Sequence, residues 1–468
     1  MPSSSRHHPG FVQIATCLGF VVVLIDVSVV NVALETLRAV LHAEVTGLQW
    51  VINAYALAFA SLLLMAGALG DRLGAKNVFM TGFAIFTLSS VGCGFAQNLH
   101  ALIIWRLVQG VGAALLVPTS LSLLRQAFQD DTARNRAVGW WSAGGGIALA
   151  AGPVIGGLLI AAFGWRSIFL INVPVGLIGL WMTFRYAPRS PTQVGRSLDL
   201  PGQVTGALTL VTLTFALTEA SGLGWRNPAI LGAVFLFIVF GALFLWFEAR
   251  NPSAMLPLVL FRDPIVSSST AIGMIANLVF YGMVFTFSLF FQSVQHLTPQ
   301  RTGLAFLPMM AILMVMNIVA GRLMGRIGKR VLTTVGLLIS ATGYMSMVPA
   351  LAAHSYGLLV LPMLLAGSGI ALTIPTITNA TLAAVSATQA GIASGLLSAA
   401  RQVGGVVGVA LFGFFIRHTE TALFMHGMYQ ALLVSVGLLL VGAAWGYIGL
   451  KTPSNLPATL CASNTPMS

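Results

Sequence analysis

Charge is scarce in this chain. Only 7% of its 468 residues are Asp, Glu, Lys or Arg, and just 11 are acidic, whereas a soluble domain carries about 25% charged residues. Too little charge is present to coat a water-soluble body of this size. Cysteine is scarcer still: Cys17, Cys93 and Cys461 are the whole set, with no CxxC spacing. A disulfide framework and a structural zinc site are thereby excluded. No Gly-x-x-x-x-Gly-Lys-Ser/Thr run and no His-Glu-x-x-His run occurs, so neither an ATP-driven engine nor a zinc hydrolase is written into the sequence. The eight histidines stand at the start (His7, His8) or singly at the edges of apolar runs (His42, His100, His296, His354, His418, His426). No metal site and no cofactor is expected.

Long apolar runs fill the space that charge leaves. The chain is 57% hydrophobic with a mean hydropathy of +0.91. A bilayer-crossing helix needs ~20 mostly apolar residues. Windows of that kind fall at about 11–34, 47–69, 77–96, 100–124, 138–163, 165–186, 201–219, 228–247, 269–291, 303–324, 331–350, 357–378, 391–415 and 428–449. The chain is therefore an all-α polytopic membrane protein with fourteen spans. The first run is too long for a signal-peptide core and contains an acid, so it is a retained helix.

The net charge of +12 fits this class better than nucleic-acid binding, because Lys and Arg are scattered among short loops rather than gathered on one face. With the N-terminus in the cytoplasm, sixteen of the 23 basic residues fall in inner segments, five fall in outer loops, and Arg106 and Arg401 lie inside helices. That asymmetry follows the positive-inside rule. It predicts an inner (cytoplasmic) membrane protein with both ends in the cytoplasm. Residues 1–10 read as a polar lead and 450–468 as a disordered tail. The stretch 248–268, an apolar patch between prolines, reads as a short interfacial helix.

Three short segments repeat. "GALGDRLGAK" (67–76) matches "GRLMGRIGKR" (321–330), "GVGAALLVPT" (110–119) matches "GSGIALTIPT" (367–376), and "GWWSAG" (139–144) matches "GLLSAA" (395–400), at offsets of 254, 257 and 256. Three matches in order at near-constant offset indicate duplication. They divide the chain into an N-terminal six-helix bundle (11–186), two central helices with their loops (187–268) and a C-terminal six-helix bundle (269–449).

Ionisable groups inside a membrane are functional candidates by default. Among the acids only Asp26 lies well within a predicted helix. It is roughly 22 Å from the inner end of helix 1, and Arg106 is about 9 Å from the outer end of helix 4, at 1.5 Å per residue. In a ~30 Å hydrocarbon layer the two depths nearly coincide. Two readings follow: a carboxyl that loads and unloads a proton beside a permanent cation, or a fixed ion pair that orients two helices. Arg401, roughly 15 Å into helix 13, either lines a cavity and senses substrate or pairs structurally. In "GALGDRLGAK", Gly70 and Gly74 permit a tight turn, while Asp71 stands at a helix end where it can accept from an opposing helix N-terminus. Arg72 can pair with Asp130 or Asp131, and Arg72 and Lys76 also serve as positive-inside anchors. The repeated turn has Gly325 in place of the acid. "AGPVIGG" (151–157) interrupts helix 5 with Gly152, Pro153, Gly156 and Gly157, which kink a helix and admit a close neighbour.

These stretches, together with "LIDVSVVNVAL" (24–34), "RLVQGVGAALLVPTS" (106–120) and "ARQVGGVVGVA" (400–410), resemble the fourteen-helix drug:proton antiporter family of the major facilitator superfamily, most of all its methylenomycin-resistance type. The resemblance covers about residues 11–449. It implies the major facilitator fold, a helix-4 arginine (Arg106) engaged in proton transfer, a cytoplasmic gate in which Asp71 meets the start of helix 13, and a helix-5 motif typical of exporters. The expected function is export of small hydrophobic drugs in exchange for protons by alternating access. The expected partners are substrate, protons and lipid, with no nucleic acid, and no enzymatic activity is expected. An apolar cavity with Asn31, Trp50, Asn53, Gln109, Asn277, Tyr281, Gln292 and Arg401 as polar lining is predicted. The alternatives are an uptake transporter for a nutrient or anion, and a membrane sensor.

Overall fold

The computed structural model describes residues 8–128, 130–188, 199–251, 256, 258–353, 355–386, 389–418 and 420–451. Most of the polar lead and nearly all of the predicted tail lie outside the described residues. Among those described there is no strand, and fourteen helices are long and apolar enough to cross a membrane. They are α1 (Pro9–Leu41), α2 (Val45–Leu73), α3 (Ala75–Gly94), α4 (Leu99–Ala127), α5 (Asp131–Phe163), α6 (Ser167–Tyr186), α7 (Leu200–Leu223), α8 (Pro228–Arg250), α9 (Pro264–Val294), α10 (Pro299–Ile327), α11 (Lys329–Ala352), α12 (Tyr356–Ala384), α13 (Ala390–Phe415) and α14 (Thr421–Gly449). We call the face holding both described chain ends basal and the other distal.

The helix ends follow local chemistry. Asn98, Asp130, Asp199, Asn227, Asp263 and Thr298 each accept a hydrogen bond from a backbone N–H of the first turn they precede, satisfying donors that a helix start leaves open. Four glycines at helix ends, Gly74, Gly164, Gly224 and Gly328, have φ between 78° and 88°, where a Cβ would be strained. Gly164 makes the predicted break before α6. The predicted interfacial helix is a single 3-10 turn, Leu258–Arg262, with Leu260 buried.

The repeat in sequence is a repeat in packing. Helices α2 and α3 pack on α4 as α10 and α11 pack on α12; α1 packs on α5 as α9 packs on α13; α3 packs on α6 as α11 packs on α14. Glycines set these approaches. A Cβ on Gly110 would lie 2.3 Å from the Tyr55 carbonyl oxygen, and one on Gly367 would lie 2.9 Å from that of Met309. Gly112 abuts the backbone of Phe86 as Gly369 abuts that of Ser340. Helices α7 and α8 form a hairpin whose first arm packs against α2 and α13.

Candidate functional site

Asp26 and Arg106 meet in the middle of the α1–α6 bundle. Each is 1% exposed. Arg106 Nη1 donates to Asp26 Oδ2 at 2.5 Å and to Gln109 Oε1 at 2.7 Å, and its Nε donates to the Val51 carbonyl at 3.1 Å. The guanidinium lies over the Tyr55 ring, 4.3 Å from its centroid. This position follows from Gly110. Its missing side chain lets α4 rest on the Tyr55 carbonyl, so one turn earlier on both helices Arg106 reaches Val51.

The other carboxyl oxygen, Asp26 Oδ1, accepts from Gln109 Nε2 at 2.9 Å and from Asn172 Nδ2 at 3.1 Å. Both amides also donate to Ser90 Oγ, which in turn donates to the Phe86 carbonyl. The carboxylate thus accepts three donors drawn from α4 and α6, one of them charged. Burying a carboxylate without such partners would be costly. The depth argument predicted the Asp26–Arg106 pair. It did not reach Ser90, Asn172 or Tyr55, and Gln109, expected in a substrate cavity, belongs to this network instead.

A cavity of about 30 Å³ opens beside the network, lined by Tyr55, Arg106, Tyr281, Gln402, Gly405 and apolar neighbours. It has room for a water or two and not for a drug. Of the predicted cavity-lining residues only Tyr281 reaches it. Asn277 accepts from Arg401 Nε at 3.4 Å on the neighbouring surface of α9. Asn31 and Gln292 bond back to their own helices, and Asn53 is buried with neither amide atom partnered. Trp50 turns away from the cavity: its Nε1 donates to Glu219 Oε1 at 2.7 Å and ties α2 to α7.

The helix-5 motif is a double packing surface. A Cβ on Gly152 would fall 1.7 Å from Ser28 Oγ, and one on Gly156 3.2 Å from the Val29 carbonyl, so these two seat α5 on α1. Gly157 faces the Pro299 carbonyl, and Gly303 faces that of Pro153, which seats α5 on α10 across the two bundles. The distal face is closed by further contacts: Gln49 Nε2 donates to the carbonyls of Val409 and Ala410 at 2.9 and 2.8 Å, Ser293 Oγ donates to Glu35 Oε2 at 2.8 Å, and Ser288 Oγ donates to the Asn31 carbonyl. Toward the basal face, glycines of these two helices stand in open space. Gly139 and Gly146 of α5, and Gly321 and Gly325 of α10, have no atom within 4 Å of where a Cβ would stand.

At the basal α2–α3 turn, Gly70 abuts Thr119 on α4, Gly74 takes φ 88°, and Asp71 is half-buried. Lys76 Nζ donates to the carbonyls of Phe184 and Ala187 at 3.0 and 2.8 Å, tying this turn to α6. Arg72 is exposed and makes no ion pair with Asp130, whose carboxylate caps α5 by accepting from Ala133. The Asp131 side chain lies outside what is described. A nearby contact across the bundles on this side is Leu64 against Gly395 of α13.

A second acidic site was hidden at helix ends. Asp199 and Glu248 are 3% and 4% exposed. Asp199 Oδ1 accepts from Gly202 N and Glu248 Oε2 from Leu256 N, while Asp199 Oδ2 and Glu248 Oε1 are buried without a hydrogen-bond partner.

Two repeated helical bundles, closed on one face around a buried charge network, define a membrane transporter built by duplication. The chain belongs to the Major Facilitator Superfamily, whose family model matches residues 16–409. It is 37% identical over 453 residues to the methylenomycin A resistance protein of Streptomyces coelicolor, covering 96% of this chain and 94% of that one. It is also 37% identical over 403 residues to the multidrug resistance protein Stp of Mycobacterium tuberculosis, covering 86% and 74%. Among solved structures it resembles a bacterial homolog of the human lysosomal transporter Spinster, with a TM-score of 0.70 at 18% identity over 96% of this chain and 98% of that one.

Proposed function

We propose that this protein exports small hydrophobic drugs or antibiotics across the cytoplasmic membrane in exchange for protons, with both chain ends and the basal face toward the cytoplasm. The observation that carries the reading is the saturated Asp26 carboxylate beside Arg106. The relatives' names, drug-resistance and multidrug-resistance proteins, favour export over uptake.

Proton binding at Asp26 Oδ2 cancels the charge that holds Arg106. The guanidinium stays charged, and the cavity on its other side offers it water. Loading Asp26 from outside and unloading it inside would then be tied to which face of the α5–α10 seam is parted. The distal contacts between the bundles, with open space around the basal glycines of α5 and α10, support reading this arrangement as the inward-facing one of such a cycle. In the opposite arrangement Asp71 would meet the start of α13 and latch the basal face. Residues 11–186 and 269–449 would move as bundles, with α7 and α8 riding between them.

Drug accumulation in energised cells tests this, with and without a protonophore. Cells making the protein should hold less drug than empty cells, the difference should vanish with the protonophore, and Asp26→Asn should behave like the empty cells at equal protein level. Equal export by wild type and Asp26→Asn would remove proton coupling while leaving export standing.

A further inference from the structure

The basal end of α10 carries two arginines that the chain itself does not use. Arg322 and Arg326 are both exposed, and neither makes a hydrogen bond or an ion pair among the described residues. The two basic residues that follow them are committed. Lys329 Nζ donates to the Asn379 carbonyl at 3.4 Å. Arg330 Nε donates to the Tyr447 carbonyl at 2.6 Å, and its guanidinium lies 3.7 Å from the centroid of that ring. No Asp or Glu occurs between Asp263 and Glu420, and Asp263 caps α9. Helices α10 to α13 therefore contain no acid to answer the two charges. The first bundle differs. By the repeat offset its counterparts are Ala68 and Arg72, and Arg72 has Asp71 as its chain neighbour.

Farther from the basal end the same side of α10 turns apolar. Met314, Ile318, Arg322 and Arg326 follow at intervals of four, the spacing of one ridge on a helix surface. Met314 and Ile318 are exposed, as is Val315 beside them. From Met314 to Arg322 the ridge runs roughly 12 Å at 1.5 Å per residue. The chain leaves it uncovered at the charged end: no atom stands within 4 Å of where Gly321 would carry a Cβ. A guanidinium matches phosphate oxygens in pairs, and an anionic leaflet attracts basic groups at its surface. An apolar ridge that ends in two unused guanidinium groups has the outline of a phospholipid, acyl chain first and phosphate last. A zwitterionic headgroup would bring its own cation beside the phosphate and gain less. A free phosphate would have no use for the ridge.

We propose that the basal end of α10 binds an anionic phospholipid, with the headgroup phosphate on Arg322 and Arg326 and an acyl chain along Met314 and Ile318. The site belongs to the second bundle alone.

Native mass spectrometry of the full chain in detergent, titrated with dioleoylphosphatidylglycerol, tests the proposal. Arg322→Gln and Arg326→Gln should each weaken binding of the first lipid about fivefold, and the double variant about 25-fold. Arg72→Gln makes the same charge change in the first bundle and should leave that affinity within about twofold. Ile318→Ser should also weaken it, and dioleoylphosphatidylcholine should bind wild type no better than phosphatidylglycerol binds the double variant. If the double variant does not fold, each single variant set against Arg72→Gln decides. Unchanged affinity in the arginine variants would overturn the proposal. Equal weakening by Arg72→Gln would overturn it in favour of diffuse charge attraction. Displacement of the lipid by inorganic phosphate, with Ile318→Ser binding as wild type does, would assign the arginines to a soluble anion and overturn the lipid site.

Discussion

The two bundles share a backbone plan and differ in what they bury. Counting by the repeat offsets, Arg106 corresponds to Met363, Gln109 to Ala366 and Ser90 to Tyr344. All three counterparts are buried. The glycine contacts that place these positions are kept in both bundles, Gly110 on Tyr55 matching Gly367 on Met309. Duplication therefore preserved helix approach, which only absent side chains permit, while the polar network stands on one side alone. A charged cluster is useful in one copy and a liability in a second copy that has no acid to answer it. Scaffold and chemistry are separable here.

The sharpest way to break the contrast is to remove one member of the charge pair. Arg106→Met gives α4 the residue that α12 already has at Met363, but it strands the Asp26 carboxylate in a buried site. Loss of a partner in such a site costs about 3–5 kcal/mol, so the purified variant should unfold well below wild type in a thermal scan. The double variant Asp26→Asn, Arg106→Met should recover most of that stability and none of the drug export. Met363→Leu, a volume-conserving change at the equivalent place, should cost less than about 1.5 kcal/mol and leave export unchanged. If Arg106→Met proved as mild as Met363→Leu, the network would have no special standing.

A smaller effect is expected one donor further out. Gln109→Leu removes one of the two amides on Asp26 Oδ1 and also frees Ser90. Leaving a buried acceptor short of a donor costs about 1–3 kcal/mol. Asn172→Leu should cost less than Gln109→Leu, because Gln109 also accepts from Arg106. Thermal unfolding of the two purified variants, compared at one pH, orders them. A reversed order would mean that α6 rather than α4 holds the acid in place.

How much of this was legible in the sequence follows from the same contrast. The spans were legible because bilayer helices need long uncharged runs, and the duplication because glycine contacts tolerate no substitute. Asp26 and Arg106 were legible because depth can be counted along two helices. Asn172 and Ser90 were not, since a single small polar residue in an apolar run leaves no periodic trace and its partner lies on another helix. Gln109 was seen as a polar group facing inward, but which side of α4 faces substrate and which faces Asp26 depends on packing. Trp50 was expected in the cavity, but α7 brings Glu219 to its indole N–H, a partner on a distant helix that no local pattern announces. Asp199 and Glu248 were masked in the same way: each ends a helix, and only the α7–α8 hairpin buries one against the other.

The smallest test concerns the two repeated turns, where backbone and charge can be varied apart. Gly74 and Gly328 have φ of 88° and 78°, so alanine at either should be strained by about 1 kcal/mol or more, and equally in both bundles. Just before these glycines the turns diverge: Gly70, whose counterpart is Met324, would put a Cβ 2.9 Å from Thr119 Cγ2, whereas a Cβ on Gly325, the counterpart of Asp71, meets nothing within 4 Å. Gly70→Ala should therefore lower the unfolding temperature slightly while Gly325→Ala leaves it unmoved. Gly325→Asp, which gives the second turn the acid of the first at an open position, should be equally harmless to folding. Measured in the drug-accumulation assay, it should also leave export near wild type, because among the described residues no atom stands within 4 Å of a Cβ at that position. A marked change in export from Gly325→Asp would show that the second turn meets a partner during the cycle, and would make the two turns functional equivalents after all.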